Sequence, residues 1–258
     1  MQASTHDREI QDQFTRQAVP FLKLHGQGHD PLLDLMARCA EVRATDTLLD
    51  VACGPGIISC YFAPLAAQVT GLDAVPAMLE QARKLQAEKG LVNVEWRQGQ
   101  STELPFADES FDRVVTRFSF HHYLDPAAAL AEMKRVAKPG GTVLVADVTP
   151  RREAQQQFNL WEILRDPSHT RALTVEELRA LGAAAGLTLR REESFSLPMD
   201  LEGLLARSFP KPGNAERVRA LFEEDIIAGQ DALGVAARRE DGAVKITYPV
   251  TVFAWGKP

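Results

Sequence analysis

Apolar positions recur along this chain with two different periods, and the switches between them mark out its elements. Residues 7–25 carry Ile10, Phe14, Ala18, Phe21 and Leu22 on one broad side, the spacing of an amphipathic helix. Pro20 is expected to bend or end that helix. Residues 26–31 read as a loop closing on Asp30-Pro31, a helix start, after which Leu32, Leu35, Met36, Cys39 and Ala40 fall at helical spacing. From Thr47 short apolar runs alternate with helical patterns. Strands are predicted over 47–52, 68–72, 94–98, 113–116 and 142–147, and helices over 57–65, 76–89 and 126–137. This alternation implies parallel pairing with crossover helices on both faces, an α/β, doubly wound sheet.

Past Pro150 the rhythm changes. A polar, Gln-rich helix is expected over 153–164, and Thr174-Val175-Glu176-Glu177 carries a capping pattern for a helix running to Ala185 and stopping at Gly186. A strand over 187–193 and a last one over 244–255, broken by Pro249, are expected to add to the sheet edge as a hairpin-like pair. Helical stretches at 201–206 and 215–229 lie between them as a lid insertion. The whole is one domain of residues 1–258, with a core over 45–150 and cap or lid elements over 1–44 and 151–243.

Composition adds little to that picture. The 258 residues are 45% hydrophobic and 25% charged, which suits a globular domain. A formal net charge of −6, with no block of like charges, argues against a nucleic-acid partner. No apolar stretch is long enough for a membrane span, and the polar start Met1 to Asp7 has no signal-peptide core, so the expected location is cytoplasmic. Cys39, Cys53 and Cys60 read as buried reduced thiols without metal-ligand spacing.

The candidate chemistry sits just after the strands, where ligands bind in doubly wound sheets. Asp50-Val51-Ala52-Cys53-Gly54-Pro55-Gly56 turns the first strand into a helix, and glycine there lets the backbone turn sharply or a ligand lie against it. Asp73 ends the second strand about 20 residues on, placed to accept from the hydroxyls of a ribose or simply to cap the next helix. Met78 lies against an adenine face or belongs to the core. Gln100-Ser101 follow the third strand, and Arg117-Phe118-Ser119-Phe120-His121-His122 the fourth. A nicotinamide dehydrogenase is the competing nucleotide reading, but Ser59 stands where its third glycine belongs.

Leu49 to Gly56 resembles the first motif of class I S-adenosylmethionine-dependent methyltransferases, and Val69-Thr70-Gly71-Leu72-Asp73 with Met78-Leu79 their second. Leu104-Pro105-Phe106, Ser110-Phe111-Asp112, His121-His122 and Val136 to Gly141 match the remaining landmarks in order. The likeness covers roughly residues 45–150 and points to the subgroup of the ubiquinone and menaquinone C-methyltransferases (methyltransferase type 11). It implies a Rossmann-like, seven-stranded, mostly parallel sheet with N-terminal helices. S-adenosylmethionine would be the cofactor and S-adenosylhomocysteine the product. Gly54 and Gly56 would approach the methionine part, Asp73 the ribose, and Gln100 and Ser101 the adenine. Ala52, Cys53, Ala74, Met78, Arg117 and Phe118 would complete the wall. Asp50 would support the loop or meet the ammonium through water. Ala52 departs from the usual first glycine and Gln100 from the usual acid.

The acceptor is expected to be a small molecule, aromatic or quinone-like, methylated on O, N or C by a monomer or homodimer. Phe14, Phe118, Phe120, Phe158 and Trp161 are the expected pocket walls. His121 or His122, just past the fourth strand, or His169, in the polar stretch Arg165 to Arg171, would take the acceptor's proton. An arginine of that stretch would orient an anion, or the stretch is a surface loop with Asp166 paired to an arginine. A cofactor-binding protein without transfer activity is the second reading. A nucleic-acid or protein methyltransferase is a weaker one, because the Asp/Asn-Pro-Pro-aromatic motif of nucleic-acid amino methylation is missing after the fourth strand.

Overall fold

A computed structural model of the chain describes residues 5–25 and 30–258, with the side chains of residues 19–25 left out. The first helix, α1, spans Thr5–His25, and α2 spans Pro31–Ala40. The core then runs β1 (Thr47–Val51), α3 (Ile57–Phe62), β2 (Gln68–Asp73), α4 (Pro76–Glu88), β3 (Val94–Gln98), β4 (Phe111–Arg117), α5 (Pro126–Val136) and β5 (Ala137–Val148). Next come α6 (Gln155–Arg165), α7 (Val175–Ala184), β6 (Thr188–Asp200), α8 (Leu201–Ser208), α9 (Asn214–Ala228), β7 (Arg238–Glu240) and β8 (Ala243–Gly256).

The sheet has the order β3-β2-β1-β4-β5-β8-β6, and the short β7 pairs with β8 as an eighth strand. Strands β1 to β5 pair in parallel, whereas β8 inserts antiparallel between β5 and β6. The chain winds outward from β1 through β2 to β3, then returns to β4 on the other side. This reversal opens a crevice at the carboxyl end of β1, where such sheets bind ligands. Alternate residues of the central strands feed two cores. Leu48, Val69, Val115 and Leu144 pack on one face with α2, α3, α6, α8 and α9. Leu49, Val51, Val114, Val143 and Val145 pack on the other with α5 and α7. Burial on both faces explains why these strands read as continuous apolar runs.

Several local signals behave as their chemistry requires. Asp30 Oδ1 accepts the Leu32 N–H at 3.0 Å to cap α2, and Thr174 with Glu177 forms a complete capping box on α7. The three cysteines are free and buried. Three details differ from the sequence reading. Helix α1 continues past Pro20 to His25; a proline removes one donor, and the remaining turns carry the helix on. Phe21, Leu22 and the loop at 26–29 lie outside the described side chains. Strand β8 is not broken at Pro249. Its carbonyl accepts the Thr149 N–H at 2.8 Å on the side where β5 ends, so the missing proline N–H falls beyond the β5 pairing. Strand β6 runs on to Asp200 instead of ending at Glu193, pairing with β8 as far as Lys245.

Candidate active site

The glycine turn after β1 carries the sharpest backbone features of the site. Ala52 has φ +55°, Gly54 +54° and Gly56 +82°. A Cβ on Gly54 would meet nothing within 4 Å, so this glycine faces open space. A Cβ on Gly56 would come to 2.5 Å from the Trp96 ring and 2.9 Å from Ala82 Cβ. Gly56 therefore stands behind the turn, where it lets α3 close onto α4 and β3, and it does not line the cavity. Ala52 adopts the left-handed conformation that favours glycine, which accounts for glycine at that place in the motif it departs from.

Asp73 binds this turn to the end of β2. Its Oδ2 accepts the Gly54 N–H and its Oδ1 the Val75 N–H, each at 2.8 Å. Burial raises its carboxyl to about 6, against the pull of those N–H donors. Asp50 is fully buried and lies outside the cavity. Its Oδ2 accepts the Ser59 hydroxyl at 2.6 Å, and burial pushes its carboxyl up to about 7. Its observed contact is thus support of the turn through α3.

A cavity of about 400 Å³ opens above these strand ends, a size typical of small-molecule sites. Ala52, Cys53, Gly54, Asp73, Ala74, Met78, Gln100 and Ser101 line one end. Met78 serves the cavity and also packs with Ala18 and Val75. Arg117, Phe118, His121 and His122 line the middle. Arg117 is drawn to α2, with Nη1 at 2.8 Å from Asp30 Oδ2. Phe118 is a second strained residue, at φ +54°. Helix α1 crosses the opening: Gln11 donates to the Ala74 carbonyl at 2.8 Å, and Phe14 meets the His122 ring edge-on at 5.0 Å.

The three candidate histidines come together, but in unlike settings. His121 and His122 lie 4.2 Å apart between ring centres, and His169 is 5.5 Å from His121. His121 Nδ1 is 2.6 Å from Asp147 Oδ1. Burial pulls this ring toward its neutral form, and the Asp147 carboxylate outweighs it, so its pKa stands above the ordinary value. His122 donates its Nδ1–H to the Ser168 carbonyl at 3.0 Å, and burial beside His121 lowers it to about 3. His169 lies outside the cavity, with Nε2 at 2.7 Å from Asn159 Oδ1. Burial holds it far below the ordinary range.

The far end of the cavity is built by elements that sequence reading left vague. Tyr248 donates to Glu162, whose other oxygen takes Arg165 Nη2 at 2.6 Å, and Arg165 Nη1 donates to Ser208 Oγ at 2.7 Å. Asp166 accepts from the Ser168 hydroxyl at 2.5 Å and from Gln17 at 3.1 Å. The polar stretch at 165–171 is thus no surface loop at its start, where Arg165, Asp166, Ser168 and His169 are buried. Of the expected aromatic walls, Phe14 and Phe118 line the cavity. Phe120, Phe158 and Trp161 are core instead, at most 2% exposed. Asp147, Tyr123, Glu162, Tyr248 and Arg207 were not singled out from sequence. Only Asp147 left a signal, as an acid ending a predicted strand.

A crevice at the sheet's reversal, a turn with open space over Gly54 and a carboxylate at the next strand end define a class I nucleotide-cofactor fold. Residues 49–145 match the family described as a methyltransferase domain (Methyltransf_11). The chain is 35% identical over 187 residues to the uncharacterized methyltransferase YcgJ of Bacillus subtilis, covering 72% of this chain and 73% of that protein. The crystal structure of YcgJ superposes with a TM-score of 0.81 at 27% identity, over 89% of this chain and 99% of that one. UbiE of Psychromonas ingrahamii, a ubiquinone/menaquinone biosynthesis C-methyltransferase, is 36% identical over 125 residues, 46% of this chain and 50% of that protein. A geranyl diphosphate methyltransferase in complex with SAM shares the fold, with a TM-score of 0.59 at 17% identity over 88% of this chain and 85% of that one. The chain belongs to the class I S-adenosylmethionine-dependent methyltransferases, in the subgroup that includes the quinone C-methyltransferases. S-adenosylmethionine is its cofactor, and the open cradle over Gly54 beside the Asp73 carboxylate fits that molecule. Among the described residues no helix is long and apolar enough to cross a membrane.

Proposed function

We propose that the chain methylates a small, partly apolar acceptor of phenol or quinol type, with His121 taking the acceptor's proton. The observation that carries this reading is the 2.6 Å contact between His121 Nδ1 and Asp147 Oδ1 at the cavity wall. Asp147 is itself held by the Phe120 N–H at 2.7 Å and the Val148 N–H at 2.6 Å. A carboxylate so fixed keeps the ring's proton on Nδ1 and leaves Nε2 as the basic atom. His122 stays neutral, because its Nδ1–H is spent on a carbonyl and its pKa is about 3. It shapes the wall and takes no proton near neutrality. His169 lies behind His121, its ring tilted 34° to it and outside the cavity lining.

When bound, S-adenosylmethionine supplies an already activated methyl group, so the protein's work is alignment and proton removal. Asp73 would accept from the ribose hydroxyls, Gly54 would leave room for the methionine part, and Gln100 with Ser101 would meet the adenine edge. Met78 would offer its side chain to the adenine, and Ala52, Cys53, Ala74, Arg117 and Phe118 would complete the wall. Asp50 and Gly56 hold the turn from behind. The quinol class is supported by the likeness to UbiE, a ubiquinone/menaquinone biosynthesis C-methyltransferase, and by the apolar lining from Ile10, Phe14, Leu197, Met199 and Leu204. The enzyme would act in the cytoplasm, as a monomer or homodimer without a nucleic-acid partner. Helices α1 and α8 and the end of α6, with the 165–171 stretch, would form its acceptor-side cap.

Methyl transfer from radiolabelled cofactor to a panel of quinols, phenols, amines and thiols tests it. Turnover is expected on phenols or quinols and lost in His121→Gln, with S-adenosylhomocysteine still bound. Transfer to amines or thiols only, or full turnover in His121→Gln, would overturn the proposal.

A further inference from the structure

Three arginines line the cavity, and two of them are spent. Arg117 is paired with Asp30 at 2.8 Å. Arg165 is taken up by Glu162 at 2.6 Å and by Ser208 at 2.7 Å. The third, Arg207, makes no hydrogen bond or ion pair with any described residue. It is half-buried on α8, whose Leu204 and Ser208 line the cavity with it. Asp200 and Tyr248 offset its burial only in part and neither bonds to it. Asp200 is committed to the Gly203 N–H at 2.9 Å and to Lys245 at 3.1 Å, and the Tyr248 hydroxyl is given to Glu162. Burial, with Arg165 adding its repulsion, holds the Arg207 guanidinium below its ordinary pKa.

A guanidinium in this position has a fork of donors, a partly dry setting and no carboxylate to receive it, the arrangement that favours an incoming anion. Its place along the cavity says which ligand that anion belongs to. Arg207 stands with Leu197, Met199 and Tyr248, where β6 and β8 overshoot the parallel strands. The Asp73–Gly54 turn lies at the β1–β2 end of the sheet, and the His121–His122 pair follows β4 between the two.

We infer that Arg207 is an anion-recognition residue of the acceptor site, and that the acceptor carries a carboxylate on an apolar or aromatic body. This rests on the methyltransferase reading of the cavity and names a chemical class within it. The carboxylate would accept from the guanidinium fork while the body lies on Leu197, Met199, Leu204 and Phe14, with its reactive end toward His121.

The test uses full-length protein loaded with S-adenosylhomocysteine, titrated with aryl and alkyl carboxylates, each paired with its own primary amide. At least one carboxylate is expected to bind about tenfold or more tightly than its amide. That preference should vanish in Arg207→Met and survive in part in Arg207→Lys, while both variants keep the wild-type affinity for S-adenosylhomocysteine. Equal binding of every acid and its amide by the wild-type protein would overturn the inference without need of a variant, as would a preference that Arg207→Met leaves intact. Failure of the wild-type protein to bind S-adenosylhomocysteine would instead overturn the reading of the site, and this inference with it.

Discussion

The backbone N–H of Gly54 donates to Oδ2 of Asp73 at 2.8 Å. One carboxylate thereby shapes the glycine turn and faces the cavity where we place the ribose. The two roles are linked, since the same group that would bind the cofactor also holds the loop that makes room for it.

Replacing Asp73 with alanine is expected to weaken S-adenosylhomocysteine binding by about 100-fold or more, the loss of two charge-assisted hydrogen bonds. Ribose hydroxyls favour the ionised carboxyl, and in the free protein that group titrates at about 6. Affinity should therefore be full above that pH and fall below it. Calorimetry across the range checks both points, and an affinity flat through pH 6 in the wild-type protein would count against Asp73 as the ribose acceptor.

Gly54→Ala and Gly56→Ala separate binding from folding. At Gly56 the new methyl would strike the Trp96 ring, which is pinned by its Nε1 donating to Gln86 at 2.6 Å. With the positive φ added, a stability loss of about 3 kcal/mol is expected. At Gly54 the methyl meets no protein atom, so the loss should be only about 1 kcal/mol, the left-handed strain alone. The larger effect there is weaker cofactor binding. Thermal unfolding with and without S-adenosylhomocysteine reads both.

Ala52→Gly should raise stability by about 1 kcal/mol, since glycine adopts φ +55° without the Cβ penalty. Denaturant unfolding measures this directly; an unchanged midpoint would mean that the turn relaxes around Ala52 at no cost.

His121 accepts a proton only as the neutral ring, so methyl transfer to a protonated acceptor should fall as pH drops through its raised pKa. Asp147 is what raises it. In Asp147→Asn the acid limb of the rate profile is expected to move to lower pH, and the maximal rate to fall about tenfold or more as the ring loses its orientation. An acid limb that does not move would remove His121 from the proton step.

What the chain's residues determine by themselves is local. The strand–turn–helix at 47–62, the Asp30-Pro31 start, the Thr174 capping box and the spacing from Gly54 to Asp73 depend on neighbours in sequence, so pattern and turn chemistry suffice to read them. The alternating core and its cofactor end follow from these. Tertiary packing decided the rest. Gly54 and Gly56 are the same residue two positions apart, yet one faces a cavity and the other faces Trp96 from β3. Phe158 and Trp161 became core because α9 and Tyr248 pack onto them. His121, His122 and His169 have one intrinsic pKa, and only burial and the Asp147 carboxylate, placed by β5, set them apart. The length of β6 was missed because Pro198 interrupts the pattern, although Phe195, Leu197 and Met199 alternate with exposed residues and pack half-buried on the core; at the sheet edge the proline is tolerated and pairing with β8 carries the strand to Asp200. That extension carries α8, and with it Arg207, to the cavity. Local sequence marks the turn proposed for the cofactor, whereas the walls proposed for the acceptor depend on contacts between segments far apart in the chain.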